Sequence, residues 1–469
     1  MKTSKKLYLS FILIAAMAST ALYAQKITGG GHSIFNCDNT TVQAVGLNFN
    51  GQLGNGTNTS TNIPVQVSNL SGITFVSSGE DYSLFLKDNG SVWGVGHNGA
   101  GQLGNGTNTN INIPVVSSIS NIVVIATGRA HSLFLKDDGT VWAVGENTFG
   151  QLGDGTNTHR NIPVLVSGLT GITAIATGFK HSIFFKGDGT IWAVGNNEDG
   201  QLGDGTNADR NIPVQVSGIS GITAFSAGSE HSLFLMGDGT VWAVGYNGYG
   251  QLGDGTHIDR NIPVQITSLS GITSISANGD HSLFLKDDGS GWAVGKNASG
   301  QLGDGTYLDR DIPIAVSGQS GLSAIAAGFY HSLFLKNNSA VWAVGSNSNG
   351  QLGDGTNTER TIPVQVTSVC TITLGTNNLD LETEFTVYPN PTSGSFTIDL
   401  EENHSEIDIN TTNILGQVVD FERYVNTNTL EVNLQGSPGI YFVNLTTSEG
   451  ISETILTPFR FSGIQDFTT

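Results

Sequence analysis

The chain has 469 residues, enough for one large domain and a smaller one, and 63 of them are glycine, nearly twice the usual share of about 7%. Only 12% of residues are charged, yet the net charge is −20. That excludes a nucleic-acid binder built on clustered Lys and Arg, and it argues against an anionic membrane surface.

The chain opens with MKTSKKLYLSFILIAAMASTALYAQ. Lys2, Lys5 and Lys6 form a basic segment, an apolar core runs from Leu7 to Ala18, and small residues follow to Ala24. Residues 1–24 read as a secretory signal peptide cut before Gln25. The apolar core is short for a bilayer of about 30 Å, so no transmembrane span is expected after its removal. Export implies an oxidising compartment, in which the two cysteines, Cys37 and Cys370, are expected to pair.

From Gln25 to Thr373 one unit of about fifty residues recurs seven times. GQLGDGT stands at Gly150–Thr156, Gly200–Thr206, Gly250–Thr256, Gly300–Thr306 and Gly350–Thr356, with GQLGNGT at Gly51–Thr57 and Gly101–Thr107. In the unit from Gly171 to Ser217 the pattern predicts strands at Ile172–Ala176, His181–Lys186, Thr190–Val194 and Ile212–Ser217. The middle pair flanks Gly187-Asp188-Gly189, a hairpin signal in which Asp-Gly favours a type I′ turn. Pro213 sits near the start of the last strand, where proline is tolerated. Four short strands per unit without helical periodicity predict an all-β, seven-bladed β-propeller. The motif leucine is expected to plug the space between blades. Trp93, Trp142, Trp192, Trp242, Trp292 and Trp342 share one repeat position and are expected to pack there too. Unit one has Gln43 at that position and only a short segment before its histidine. Residues 370–374 occupy the place of an eighth unit's first strand. The expectation is that they pair beside His32–Cys37, completing the first blade and bringing Cys370 to Cys37.

These residues carry a resemblance. HSLFLKDDGTVWAVG, then N..GQLGDGT, then IPVQV, in seven copies, resembles the regulator of chromosome condensation repeat family. The resemblance implies a seven-bladed propeller. Members of the family bind proteins in unrelated ways, as nucleotide exchange factors, as ubiquitin-ligase modules and as secreted enzyme inhibitors.

Residues 374–383 read as a linker. From residue 384 Glu, Asp and Asn rise and the repeat stops. Strands are expected at Phe385–Tyr388, Ser395–Leu400, Glu406–Asn410, Gln417–Asp420, Thr429–Asn433 and Ile440–Thr446, forming a small C-terminal β-sandwich. VYPNPTSGSFTI, ILGQVV and GIYFVNL resemble the C-terminal sorting domain of the type IX secretion system of Bacteroidetes. That resemblance implies that type IX machinery is a partner and that the chain is secreted or held at the outer-membrane surface.

Candidate chemistry is sparse. His32, His131, His181, His231, His281 and His331 each precede a serine, and unit two has Tyr82 instead. Neighbours on a strand point to opposite faces, so His-Ser within one unit makes no nucleophile–base pair. No second ligand recurs at metal spacing. The histidines are expected to be structural, bonding loop backbone. The paired acids of KDDGT do not match a calcium loop and read as solvated turns, and the motif's GDGT acid reads as a loop cap. Asp209-Arg210, Asp259-Arg260 and Asp309-Arg310 read as a surface charge ladder.

Function is expected where the repeats differ. The turn before each histidine and the loop before GQLG lie on one face of the disk. Their variable positions include Glu80, Asp81, Arg129, Phe149, Phe179, Lys180, Asp199, Glu230, Tyr249, Asp280, Phe329 and Tyr330. Aromatic and charged residues mixed on one face fit a surface for an extracellular protein or glycan. The expectation is a monomeric binding module without cofactor or metal. A carbohydrate-active or polysaccharide-binding propeller is the alternative, with Glu80, Asp81, Glu230 or Asp280 as its carboxylate, and a secreted enzyme inhibitor is a third reading, implied by the family resemblance. No pair of carboxylates is singled out by spacing, which favours binding over catalysis.

Overall fold

The structure is a computed structural model that describes residues 26–38, 40–372 and five tail strands: Phe385–Tyr388, Ser395–Asn413, Val418–Asn433, Gly439–Thr447 and Ser452–Phe459. The signal-peptide and linker readings lie outside the described residues.

The described residues between 26 and 372 form one compact unit of seven four-stranded antiparallel sheets, each drawn from consecutive strands. In blade four, Ile172–Thr177, His181–Lys186, Ile191–Gly195 and Arg210–Gln215 pair in chain order. The outer strand starts two residues before its predicted position, because Arg210 pairs with Gly195 and a register shift follows. Pro213 therefore falls within the strand. It is tolerated because this strand is the outer edge of its blade and no inward ladder bond needs its missing N–H.

The second strand is buried along almost its whole length, as at Ile183, Phe184 and Phe185, because neighbouring blades cover both of its sides. Each interface has its own apolar core. Between blades three and four, Leu133, Leu135 and Val141 meet Ile172, Phe184 and Val194, with Leu152 of the GQLG motif fully buried among them. Among the described residues the fully buried aromatics are Tyr82 and the phenylalanines of the second strands, the latter a position the sequence reading does not single out. The tryptophans lie opposite them in register, Phe134 beside Trp142. They are only partly buried, and Lys136 lies 4.8 Å over the Trp142 ring.

The motif's first glycine is required twice over. Gly150 has φ 82°, and a Cβ there would lie 2.5 Å from the Cα of Asn211 in the next blade. The KDDGT hairpins are not type I′. In blade four the Gly189 N–H bonds Lys186 O at 2.9 Å and the Lys186 N–H bonds Thr190 O, while only Gly189 has positive φ. This is a type I turn closed by a left-handed glycine bulge, the three-residue loop that a Gly-Asp-Gly spacer permits.

The ring closes differently from the expectation. Ile27–Gly29 is itself the first strand of blade one, paired with His32–Asn36, and it touches the innermost strands of blades two and seven. The inner position is thus already filled, and residues 370–372 form no strand. They instead pack against the hairpin without pairing to it: Cys370 N–H bonds Gln43 Oε1 at 2.8 Å, and Ile372 is buried with Ile27, Phe35 and Cys37. Gln43 therefore does at this place what no tryptophan could, satisfying a backbone donor. The Cys37–Cys370 disulfide is formed, with a Cα separation of 5.9 Å.

The tail unit is one five-stranded antiparallel sheet. Two of its strands each absorb two predicted short ones. Ser395–Asp399 pairs with Thr429–Asn433, the register shifts before His404, and Ile407–Thr411 continues against Tyr424–Asp420. Phe385–Tyr388 flanks the first part and Tyr441–Thr447 the second. The expected two-layered sandwich is therefore a single sheet by its pairing, because the long strands carry that pairing through the irregular step. Ile398, Ile407, Ile409, Leu430 and Val432 are buried. Ser452–Phe459 is a further edge strand not foreseen from the sequence.

Candidate functional site

The repeated histidines make a structural belt. Each histidine Nε2 meets the serine of the next blade: His32–Ser83 at 2.7 Å, His131–Ser182 at 3.0 Å and so on to His331–Ser33 at 2.8 Å. Tyr82 fills the one gap by bonding Ser132 Oγ at 3.0 Å. Ser–His pairs therefore do exist, between blades rather than within a unit, and the bond is to a serine rather than to loop backbone as expected. Their direction is wrong for catalysis. Ser182 Oγ donates to Gln151 O at 2.8 Å, so its single hydrogen is used and His131 Nε2–H must be the donor. A general base would have to accept from the serine. Both groups are fully buried. Burial also drives the imidazoles down, to about 3 for His131, where the neighbouring His181 adds repulsion.

The loop acids are likewise structural. Asp154 Oδ1 accepts from Thr156 N–H and Oγ1, while Oδ2 accepts from Arg160 Nε at 3.0 Å and Nη2 at 2.8 Å. Burial opposes ionisation of Asp154, but the Thr156 and Arg160 hydrogen bonds outweigh it and lower its pKa. The Asp-Arg ladder expected at Asp209-Arg210 is absent: Arg210 grips Asp204 at 2.7 Å, and Asp209 accepts from the Asn197 N–H. The two residues are adjacent on an extended segment and point apart. The turn acids cap threonines, as Asp188 does for Thr190.

The variable positions are brought together. Arg129 bonds Glu80 at 2.9 Å and lies 4.6 Å over the Phe179 ring. Phe179 of blade four meets Phe329 of blade seven edge-on at 5.2 Å, and Phe329 meets Tyr330 at 5.8 Å. Lys180 sits 4.9 Å over Phe149 and 3.8 Å from Glu230. Lys296 bonds Asp280 at 3.0 Å and lies 4.5 Å over Tyr249. Asp81 takes a hydrogen bond from Gln52 at 3.2 Å. Burial and the neighbouring Glu80 raise its pKa. Asp199 is pushed up to about 6, by burial first and then by the charges of Glu230, Asp259 and Glu198. All twelve positions thus lie within one connected set of contacts and charges.

The family model for the RCC1-like domain matches residues 23–320, and models for the regulator of chromosome condensation (RCC1) repeat match 323–351 and 338–375. The chain belongs to the RCC1-like domain family. The model for the secretion system C-terminal sorting domain matches residues 386–456, which implies export to the cell surface or beyond. Human WBSCR16 shares the propeller's fold at 23% identity, covering 70% of this chain and 95% of its own, with a TM-score of 0.64. The yeast RCC1 protein Prp20 bound to Kap60 does so at 20% identity, covering 78% and 88%, with a TM-score of 0.64. Prp20p from Saccharomyces cerevisiae alone gives 20% identity, 74% and 89% coverage and a TM-score of 0.63. No curated protein matches the chain significantly.

In this RCC1-like propeller sequence reasoning missed one ring of face residues. The residue after each third strand is His97, Glu146, Asn196, Tyr246, Lys296 or Ser346 in successive blades from the second. Lys296 bridges Asp280 to Tyr249, and Tyr246 stacks edge-on with Tyr249 at 5.9 Å. The signal was there: this position changes in every unit, directly after a Val-Gly that is the same in all seven.

Proposed function

We propose that the protein is an exported RCC1-like binding module that engages an extracellular protein or glycan through the face carrying Phe179, Phe329 and Tyr330. The observation that carries this reading is the run of rings and cations, Phe149–Lys180–Phe179–Phe329–Tyr330–Lys296–Tyr249, with Phe329 buried behind an exposed Tyr330, across blades that otherwise repeat one another. Rigid aromatic anchors beside charges are what recognition surfaces use. The basic-then-apolar N-terminus and the sorting-domain match support export.

The test is affinity capture from surface and medium extracts of the source, comparing the native chain with a combined Phe179→Ala, Phe329→Ala and Tyr330→Ala variant. One protein or polysaccharide retained by the native form and lost by the variant supports the reading. Equal capture by both forms sinks it. A carbohydrate-active role is the second reading, favoured by the raised pKa of Asp199 beside Glu230, since a carboxyl poised near neutral pH suits a general acid. Release of reducing sugar from a captured polysaccharide, lost in Asp199→Asn, decides it.

A further inference from the structure

Between blades two and three the same face opens into a cleft of about 490 Å³ lined by Glu80, Asp81, His97, Arg129, Glu146 and His159. The sequence explains the opening. Ala130 stands where later blades carry Lys180, Glu230, Asp280 and Tyr330, and Ala100 where they carry Phe149, Asp199 and Tyr249. Between blades three and four those side chains fill the notch, with Lys180 laid on Phe149. Between blades two and three they are missing, and the space is left.

The polar groups around this space have fixed roles. Gln102 Oε1 accepts from the Ala100 N–H, so its Nε2 donates to His97 Nδ1 at 2.8 Å. The Asn147 N–H donates to His159 Nδ1 at 3.0 Å. Each neutral imidazole must then carry its hydrogen on Nε2, as a donor. His159 replaces the Asp209 and Asp259 of blades four and five, which cap the same backbone N–H. On the acceptor side Glu80 is paired with Arg129. Asp81 and Glu146 have no ion-pair partner among the described residues.

We propose that this cleft binds one or two residues of a neutral, hydroxyl-rich glycan, whose hydroxyls accept from His97 and His159 and donate to Asp81 and Glu146. The inference rests on reading this face as a ligand surface and names the ligand class at one place on it. Its volume lies within the roughly 300–1,000 Å³ of small-ligand sites. Each hydroxyl both donates and accepts, so a polyol satisfies both kinds of lining group at every position around a sugar ring. A lysine of a partner protein would satisfy the carboxylates and leave both imidazole N–H groups unmet. An anionic sugar would meet three carboxylates against one guanidinium.

The experiment is native affinity electrophoresis of the full chain in gels containing laminarin, mannan or dextran, with alginate as the anionic comparison and oligolysine as a competitor. Ala130→Lys copies the residue of blade four into the cleft and is compatible with the fold there. Glu146→Gln removes one acceptor charge without changing shape. The expected result is retardation by at least one neutral glycan, at least ten-fold weaker in both variants, and none by alginate. Absence of retardation by every neutral glycan overturns the proposal, as does retardation undiminished in Ala130→Lys. If retardation survives Ala130→Lys and is lost in Tyr330→Ala, the cleft assignment fails while the face reading stands. Saturable oligolysine binding that Ala130→Lys abolishes, without glycan binding, identifies a cation pocket and overturns the proposal as well.

Discussion

His131 Nε2 lies 3.0 Å from Ser182 Oγ in the following blade. Ser182 holds two groups of blade three at once, the imidazole and Gln151 O. Ser182→Ala leaves a buried N–H and a buried carbonyl unmet, which costs about 1–3 kcal/mol for each group. Urea unfolding of this variant is expected to show a clearly lowered midpoint. Ser182→Thr retains the hydroxyl and is expected to lose less. Equal stability of the Ala variant and the native chain would refute the structural role.

The belt makes the propeller acid-sensitive. His32, His131, His181, His231 and His281 are held to about 3 and His331 to about 4, with burial the largest cause in each. The unfolded chain titrates its histidines near 6.5. Above that value both states are neutral and stability is level. As pH falls below it the unfolded state takes up protons that the folded state refuses, and stability drops. Six such groups amount to a slope of about 8 kcal/mol per pH unit at full effect. Melting temperature measured from pH 8 to pH 4 is expected to be flat at first and then to fall steeply from about pH 6. A fall that begins only in the carboxylate range, near pH 4, would show that the histidines are not held neutral.

Asp154 and Arg160 vary together along this one chain. Five blades have the Asp–Arg fork, and the remaining two have Asn55 with Thr61 and Asn105 with Ile111. The Asp154 side chain is 7% exposed and that of Arg160 34%. Removing the arginine alone strands a nearly buried carboxylate. Arg160→Thr is expected to cost about 2 kcal/mol, discounted for the arginine's exposure. Adding Asp154→Asn, which recreates the pair of blade one, is expected to recover about half of that. A double-mutant cycle reads the coupling, and additive effects would contradict it.

Ser339 stands at φ 66° at the turn position where Gly139, Gly189, Gly239 and Gly289 stand in other blades. A side chain costs about 1–2 kcal/mol in the left-handed region, partly offset by glycine's greater freedom when unfolded. Ser339→Gly is expected to stabilise the propeller by about 0.5–1 kcal/mol, measured by the urea midpoint at unchanged slope. Destabilisation would mean that the serine hydroxyl matters more than its backbone angle.

The Cys37–Cys370 bond spans 333 residues. In the chain-entropy model a loop of that length contributes about 6 kcal/mol. Cys37→Ser with Cys370→Ser is expected to keep the fold, since belt and core contacts also close the ring, but to melt well below the native chain. Identical melting of both forms, with and without reductant, would remove the disulfide from the account.

Repeat length, strand number and the short polar spacers between the middle strands determined the propeller from sequence alone, because each is a local rule written seven times. The same locality identified the variable face, since turns alternate sides in any four-stranded blade. What the sequence left open was everything that depends on a neighbour. The serine that a histidine meets lies 51 residues away, or 298 where His331 closes the ring on Ser33, and the fork partner of Arg210 is Asp204 rather than the adjacent Asp209. The three-residue strand Ile27–Gly29 fills the inner position of blade one, and this decided that residues 370–372 pack against the blade without pairing to it. The cleft beside Ala130 is likewise tertiary: alanine in a repeat is unremarked until the ring places it opposite Ala100, where in the next notch Lys180 and Phe149 touch. Side-chain partners, and the spaces left where partners are small, are set by which blades stand side by side, and only the closed ring fixes that.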